Sequence, residues 1–256
     1  RYGGNYKSYG PQYPRGIQEG NGVPADGDLW VSYSVNKEDM WISRIPVPVE
    51  INASAHADDD FSKFGSIAEL TNWNIYSPVW APVSLEGAWL KLQDKDPFDY
   101  AKVERKIPAS KELKVSFDLL AEQNDKGRLQ IDFLDGNSIA CSRLELTPDG
   151  IFRMKGGSRF ANMMNYEAGK TYHVEAVLST ADRNIQVYVD GKRVGLRMFY
   201  APVATIERIV FRTGEMRTFP TVDTPADQTY DLPDAGGQEP LAEYRIANVK
   251  IGRAHV

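Results

Sequence analysis

Apolar and polar positions alternate with a period of two along most of this chain, the pattern of strands that bury one face. In Asn184-Ile-Gln-Val-Tyr-Val189 the residues Ile185, Val187 and Val189 share one face, and Asp190-Gly191 then breaks the run before Lys192-Arg-Val194. An Asp-Gly pair between alternating runs predicts a β-hairpin. Similar runs occupy 172–178, 206–212 and 244–252, and shorter ones fall at 74–80, 87–92, 100–107, 113–120, 128–134, 138–146 and 151–154. Within 113–120, Leu113, Val115, Phe117 and Leu119 fall on the apolar phase and Lys114, Ser116 and Asp118 on the polar one. Turn residues stand between runs at Asp135-Gly136 and Pro148-Asp149-Gly150. No segment keeps a helical period, so an all-β sandwich is expected over residues 56–253, with Val187, Val189, Leu113, Val115, Phe117, Ile209 or Val210, and Val249 in its core.

Two stretches interrupt this rhythm. Residues 214–241 are rich in Thr, Pro, Asp and Gly, an insertion long enough in a compact domain to suggest a functional or disordered loop. Residues 1–26 are rich in Gly, Tyr, Pro and Asn and read as aromatic loop; 28–35 and 40–45 then read as a hairpin, closed off by Pro46 and Pro48. The acidic run Asp58-Asp-Asp60 lies just beyond, placing a seam after residue 50.

Composition narrows the chemistry. The 256 residues are 42% hydrophobic, ample for a core, and carry a formal net charge of -5, which provides no overall basic field for nucleic acid. No apolar window approaches the roughly 18 residues of a spanning helix, so no membrane insertion is expected. The single cysteine, Cys141, sits in an alternating run and reads as a buried, inert thiol. The chain starts at Arg1 without a signal-peptide pattern, the expectation for a processed product or a piece of a longer protein.

The strands from Tyr172 to Gly252, with the Asp190-Gly191 hairpin at their centre, resemble the back half of a concanavalin A-like, laminin-G-like jelly roll. The N-terminal tracts 10–22 and 29–46, above all Tyr33-Ser-Val-Asn-Lys-Glu-Asp39, resemble the final blade of the β-propeller in bacterial sialidase-like, BNR-repeat glycoside hydrolases. The Asp-box pattern Ser-x-Asp-x-Gly-x-Thr-Trp is absent, and fifty residues cannot close a propeller of at least four blades. The resemblances together imply residues 1–50 as the remnant of a last blade and 56–253 as a jelly-roll module. The parent would be a secreted, periplasmic or cell-surface glycan-degrading enzyme, with glycan and the upstream propeller as partners.

What the resemblance implies for individual residues is limited. Late blades of such propellers supply an arginine to the sugar carboxylate, because a planar guanidinium makes two parallel charge-assisted bonds. Arg15, beside Tyr13 and followed by Glu19, is the candidate, with pairing to Glu19 as the plainer alternative. Glu19 is a weaker candidate acid or base, since glycoside hydrolysis needs a second carboxylate. Trp73, Trp80 and Trp89 are candidate sugar platforms or core residues, and Tyr76, Phe160, Tyr166 and Tyr200 share that ambiguity. Jelly rolls of this type often hold one structural Ca²⁺, for which Asp58 and Asp60 are the candidate ligands. His56, His173 and His255 are too scattered for a zinc motif. Three functions follow: a carbohydrate-binding or accessory module, a self-contained glycan-cleaving jelly roll using Asp118 and Asp132, or a spacer that binds no sugar.

Overall fold

The computed structural model describes residues 11–18, 28–35, 39–46, 57–97, 99–214 and 238–252. These fall into two units, residues 11–46 and residues 57–252. The first is a three-stranded antiparallel sheet of β1 (Pro11–Gln18), β2 (Asp28–Val35) and β3 (Asp39–Pro46), in that order. The hairpin β2–β3 matches the sequence expectation, but β1 corrects it, since the stretch read as loop contains a strand. Its two prolines mask the alternation. Both are tolerated because β1 is an edge among the described residues, and the register shifts between Gln12 and Arg15, where Pro14 lies.

The second unit is a sandwich of two antiparallel sheets. Its strands are β4 (Ala57–Asp59), β5 (Trp73–Tyr76), β6 (Val83–Glu86), β7 (Trp89–Asp94), β8 (Lys102–Ser110) and β9 (Glu112–Ala121). They continue as β10 (Leu129–Leu134), β11 (Ala140–Leu146), β12 (Ile151–Gly156), β13 (Arg159–Asn165) and β14 (Thr171–Ser179). The last four are β15 (Asn184–Val189), β16 (Lys192–Met198), β17 (Ile206–Thr213) and β18 (Ala242–Gly252). One sheet has seven strands in the order β13-β12-β11-β10-β17-β8-β5. The other runs β16-β15-β14-β9-β18-β7-β6, with β4 also paired to β18. Among the described residues, helix is confined to single 3-10 turns at Phe61–Lys63 and Ile67–Glu69, so no helix is long and apolar enough to cross a membrane.

The apolar phases of both sheets meet in one core. Phe117 on β9 packs edge-on against Phe211 on β17 at 5.0 Å between ring centroids, joining the two sheets. Leu113, Val115, Phe117, Val187, Val189 and Val249 are all buried there. Ile209 points into the same core, which leaves its neighbour Val210 on the outer face of the seven-stranded sheet. Asp190 and Gly191 take φ of 50° and 77°, the two left-handed residues a tight hairpin turn requires between β15 and β16. Cys141 is buried and free, with its Sγ 3.4 Å from the Phe133 carbonyl, and burial pushes the thiol up to about 12. Its burial matches the sequence expectation.

Candidate functional site

The outer face of the seven-stranded sheet carries polar groups that are nonetheless buried. On β10, Leu129, Ile131 and Phe133 point into the core, so Gln130 and Asp132 point outward, yet they are only 4% and 7% exposed. In register beside Gln130 stand Glu145 on β11 and Arg212 on β17, and Asp132 stands beside Arg143. The Arg143 guanidinium forks onto Asp132, with Nε 2.6 Å from Oδ1 and Nη2 2.8 Å from Oδ2. Burial by itself would lower the Arg143 pKa, but this bidentate bond outweighs it and raises the value. Glu145, 1% exposed, accepts from both Arg128 Nη1 and Arg153 Nε, the latter at 2.9 Å.

Arg212 lies with its Cζ 3.9 Å above the Tyr100 ring. Burial pulls its guanidinium below the ordinary value, and the nearby Arg143 charge adds to that pull against Tyr100, Asp132 and Asp99. At the centre of this arrangement the Gln130 Oε1 is fully enclosed and accepts no hydrogen bond. Native proteins leave few buried polar atoms unmatched, and such an atom calls for a reason. Aromatic rings border the face. Arg153 stacks on Phe160 at 4.2 Å and Lys155 Nζ sits 4.4 Å from the Tyr200 centroid, while Tyr76 on β5 donates to Asp99 at 2.9 Å. Burial, with the Asp132 charge adding to it, pushes the Tyr200 phenol up and keeps it a neutral donor. Phe160 is 37% exposed, leaving part of one ring open to a ligand. Tyr166 is no part of this rim, because it is buried with its hydroxyl bonded to the Thr147 carbonyl at 2.7 Å.

The residues singled out in the sequence are scattered by the fold. Arg15 is exposed on β1 opposite Ser32, Tyr13 shares that strand, and Glu19 lies outside the described residues. Trp73 is corrected from sugar platform to core residue: it is 7% exposed, packs on Phe61 at 5.6 Å, and donates its indole N–H to Asp59 at 3.2 Å. Trp89 is half-buried on β7 in the other sheet, and Trp80 is half-buried between β5 and β6, so the three indoles share no face.

The acidic run does not fit a calcium site. Asp60 caps the turn at Phe61–Lys63, its Oδ1 accepting from Ser62 N and Oγ, and its other oxygen lies 3.6 Å from Lys63 Nζ. Asp59 is bonded to the buried Arg105, whose Nε lies 2.7 Å from Oδ2. Asp58 is exposed beside Lys250. Cations and N–H donors already engage the oxygens of Asp59 and Asp60, and among the described residues no group of three or more His, Cys, Asp or Glu is placed to hold a metal. Asp118 and Asp132, the carboxylate pair that a catalytic jelly roll would need side by side, stand on different sheets and on opposite outer faces. Asp118 is instead bonded to His173 Nδ1 at 2.7 Å and Asn248 Nδ2 at 2.6 Å.

Sequence reasoning missed Gln130, Arg143, Glu145 and Arg212. Their signal is present as polar phases of Gln and Asp on β10, Arg and Glu on β11 and Arg on β17, and only the strand order brings the three together.

No curated protein matches this chain. It is similar to a solved structure of a sialidase at 96% identity and a TM-score of 0.86, a match that covers 97% of this chain and 23% of the sialidase chain. The chain thus spans about a quarter of the length of that protein. Solved structures of low identity also share the fold. The apo Crh5 transglycosylase is 11% identical with a TM-score of 0.58, over 79% of this chain and 86% of its own. The carbohydrate recognition domain of Emp47p is also 11% identical with a TM-score of 0.51, over 78% of this chain and 96% of its own. The model of the family described as Sialidase-like, CBM domain matches residues 73–228, more than half of the chain and most of the sandwich, with β5, β10, β11 and β17 inside the match. The chain therefore belongs to the sialidase-like carbohydrate-binding-module family.

Proposed function

We propose that this chain is the glycan-binding module of a secreted, sialidase-like glycoside hydrolase, and that the outer face of its seven-stranded sheet holds the glycan. The observation that carries the location is the rim of that face, where Phe160 is 37% exposed against Arg153 and Lys155 lies over the Tyr200 ring. Sugar binding needs an apolar contact, because the C–H face of a pyranose packs on an aromatic ring while its hydroxyls meet fixed polar groups. Phe160 and Tyr200 provide rings at the edge of the same face. The polar groups in its middle are held rigid by bidentate and shared ion pairs, so little ordering is required on binding.

In the parent, the propeller resembled by residues 10–46 is proposed to carry the hydrolytic chemistry of polysaccharide degradation, and this module keeps the enzyme on its substrate outside the cell. Arg15, exposed on β1, is this chain's candidate contact to an anionic sugar bound by that propeller. Screening the chain on a glycan array, followed by calorimetric titration of the best ligand, tests the reading. Phe160→Ala and Lys155→Ala should each weaken binding at least tenfold with the circular dichroism spectrum unchanged, while Trp89→Ala should leave it intact. Loss of binding on Trp89→Ala with Phe160→Ala unaffected would move the site to the other sheet.

A further inference from the structure

We propose that Asp118, His173 and Asn248 form a second binding site, on the outer face of the eight-stranded sheet, that takes a neutral sugar through two adjacent hydroxyls. The site lies on the sheet opposite Phe160 and Tyr200 and does not rest on the reading of their face.

Three neighbouring strands build it. Asp118 on β9 stands in register with His173 on β14 and with Ala247 on β18. Beyond Ala247 the register of β18 shifts: Tyr244 and Ile246 point into the core before the shift and Val249 and Ile251 after it, which leaves Asn248 as the extra residue. Such a bulge re-aims a side chain. Asn248 takes φ of 52°, a left-handed conformation that Asn tolerates better than most residues, and is exposed beside Asp118. The carboxylate joins its two neighbours, with Oδ1 2.7 Å from His173 Nδ1 and Oδ2 2.6 Å from Asn248 Nδ2. The His173 side chain is 51% exposed, so solvent reaches the ring. Bonds between exposed groups contribute little to stability, and a bulged, left-handed Asn within a strand costs some. The fold does not require this arrangement, and the arrangement holds three polar side chains in a fixed row.

The ligand follows from what the row still offers. A carboxylate only accepts, so the ring hydrogen is on Nδ1, and Nε2 is the nitrogen not turned to Asp118. Asn248 likewise spends an Nδ2 hydrogen on Asp118 and keeps Oδ1, and each Asp118 oxygen retains a second lone pair. These are mainly acceptors on adjacent strands, which suit the hydrogens of neighbouring hydroxyls on a pyranose. An acidic group would meet the Asp118 charge, so the matching sugar is neutral. Tyr188, on the outward phase of β15, lies two residues before Asp190, whose Oδ1 accepts from His173 N; it supplies a half-buried ring at the border.

The test titrates neutral oligosaccharides ending in galactose, glucose, mannose or N-acetylhexosamine into the full 256-residue chain carrying Phe160→Ala, which removes the rim of the other sheet. A neutral sugar should still bind, and adding Asn248→Gly or Asp118→Ala should weaken it at least tenfold. Glycine adopts the left-handed backbone freely, so Asn248→Gly should keep the melting temperature within about 2 °C, which separates a binding role from a structural one. A deoxy counterpart lacking one of the paired hydroxyls should bind at least tenfold more weakly. Raising sodium chloride from about 50 to about 500 mM should leave the affinity unchanged, because the ligand carries no charge to screen. Absence of any neutral ligand for the Phe160→Ala chain, or a ligand indifferent to both Asn248→Gly and Asp118→Ala, would overturn the proposal. Neither result touches the seven-stranded sheet, whose reading is decided by Phe160→Ala and Lys155→Ala in the otherwise unaltered chain.

Discussion

Asp59→Ala should destabilise the sandwich strongly, because it strands a buried cation. Arg105 is 2% exposed on β8; its Nε lies 2.7 Å from Asp59 Oδ2 and its Nη1 2.8 Å from the Lys106 carbonyl. The same Asp59 oxygen accepts from the Trp73 indole N–H at 3.2 Å. Breaking a buried pair by removing one partner costs about 3–5 kcal/mol, and an unmatched indole N–H about 1–3 kcal/mol. The two losses share one carboxylate and do not add in full, so on the order of 4 kcal/mol is expected. For a domain of this size that lowers the melting temperature by on the order of 10 °C. Urea unfolding followed by tryptophan fluorescence reads the change directly, since Trp73 sits in the core beside the pair. Adding Arg105→Met removes the stranded charge, so the double variant should recover much of the loss. A loss below about 1 kcal/mol for Asp59→Ala, or a double variant no better than the single, would show that the pair does not hold β4 against the sandwich.

Other outcomes follow from the same structure. Val115→Asp places a carboxylate at a fully buried core position, costs several kcal/mol, and should abolish the cooperative melt in calorimetry. Asp94 is pushed up to about 7, chiefly by burial and then by the charges of Asp96 and Asp99. Its folded value lies above its unfolded one, so the folded state binds the extra proton; stability should fall as pH rises from about 4 to about 7, and Asp94→Asn should flatten that slope and raise stability at about pH 8 by up to about 4 kcal/mol, read by urea unfolding across the pH series. The chain alone should release no sugar from oligosaccharides, because Asp118 and Asp132 stand on opposite outer faces and cannot flank one bond; turnover abolished by Asp118→Asn or Asp132→Asn would contradict this.

The period-two alternation is enough to assign faces within a strand, and so the core positions Leu113, Val115, Phe117, Val187 and Val189 are legible in the order of residues alone. Local turn chemistry is equally legible, since Asp190-Gly191 needs only its own backbone angles to join β15 to β16. Both are properties of a few consecutive residues. Strand β1 escapes such reading because a proline at a bulged edge destroys the alternation without destroying the pairing.

Strand order is another matter, because it depends on pairs far apart in the chain. β10 lies between β11 and β17, and β9 between β14 and β18, and no local pattern states either. Asp118 and Asp132 are fourteen positions apart and share a phase, yet the crossover from β9 to β10 sends them to different sheets. Conversely, Gln130, Glu145 and Arg212 become neighbours only because β10 pairs with both β11 and β17. The sequence alone determined which side chains point in and which out, a matter of backbone stereochemistry. Tertiary structure decided which outward groups meet, and the buried polar face on which function rests exists only through those long-range pairings.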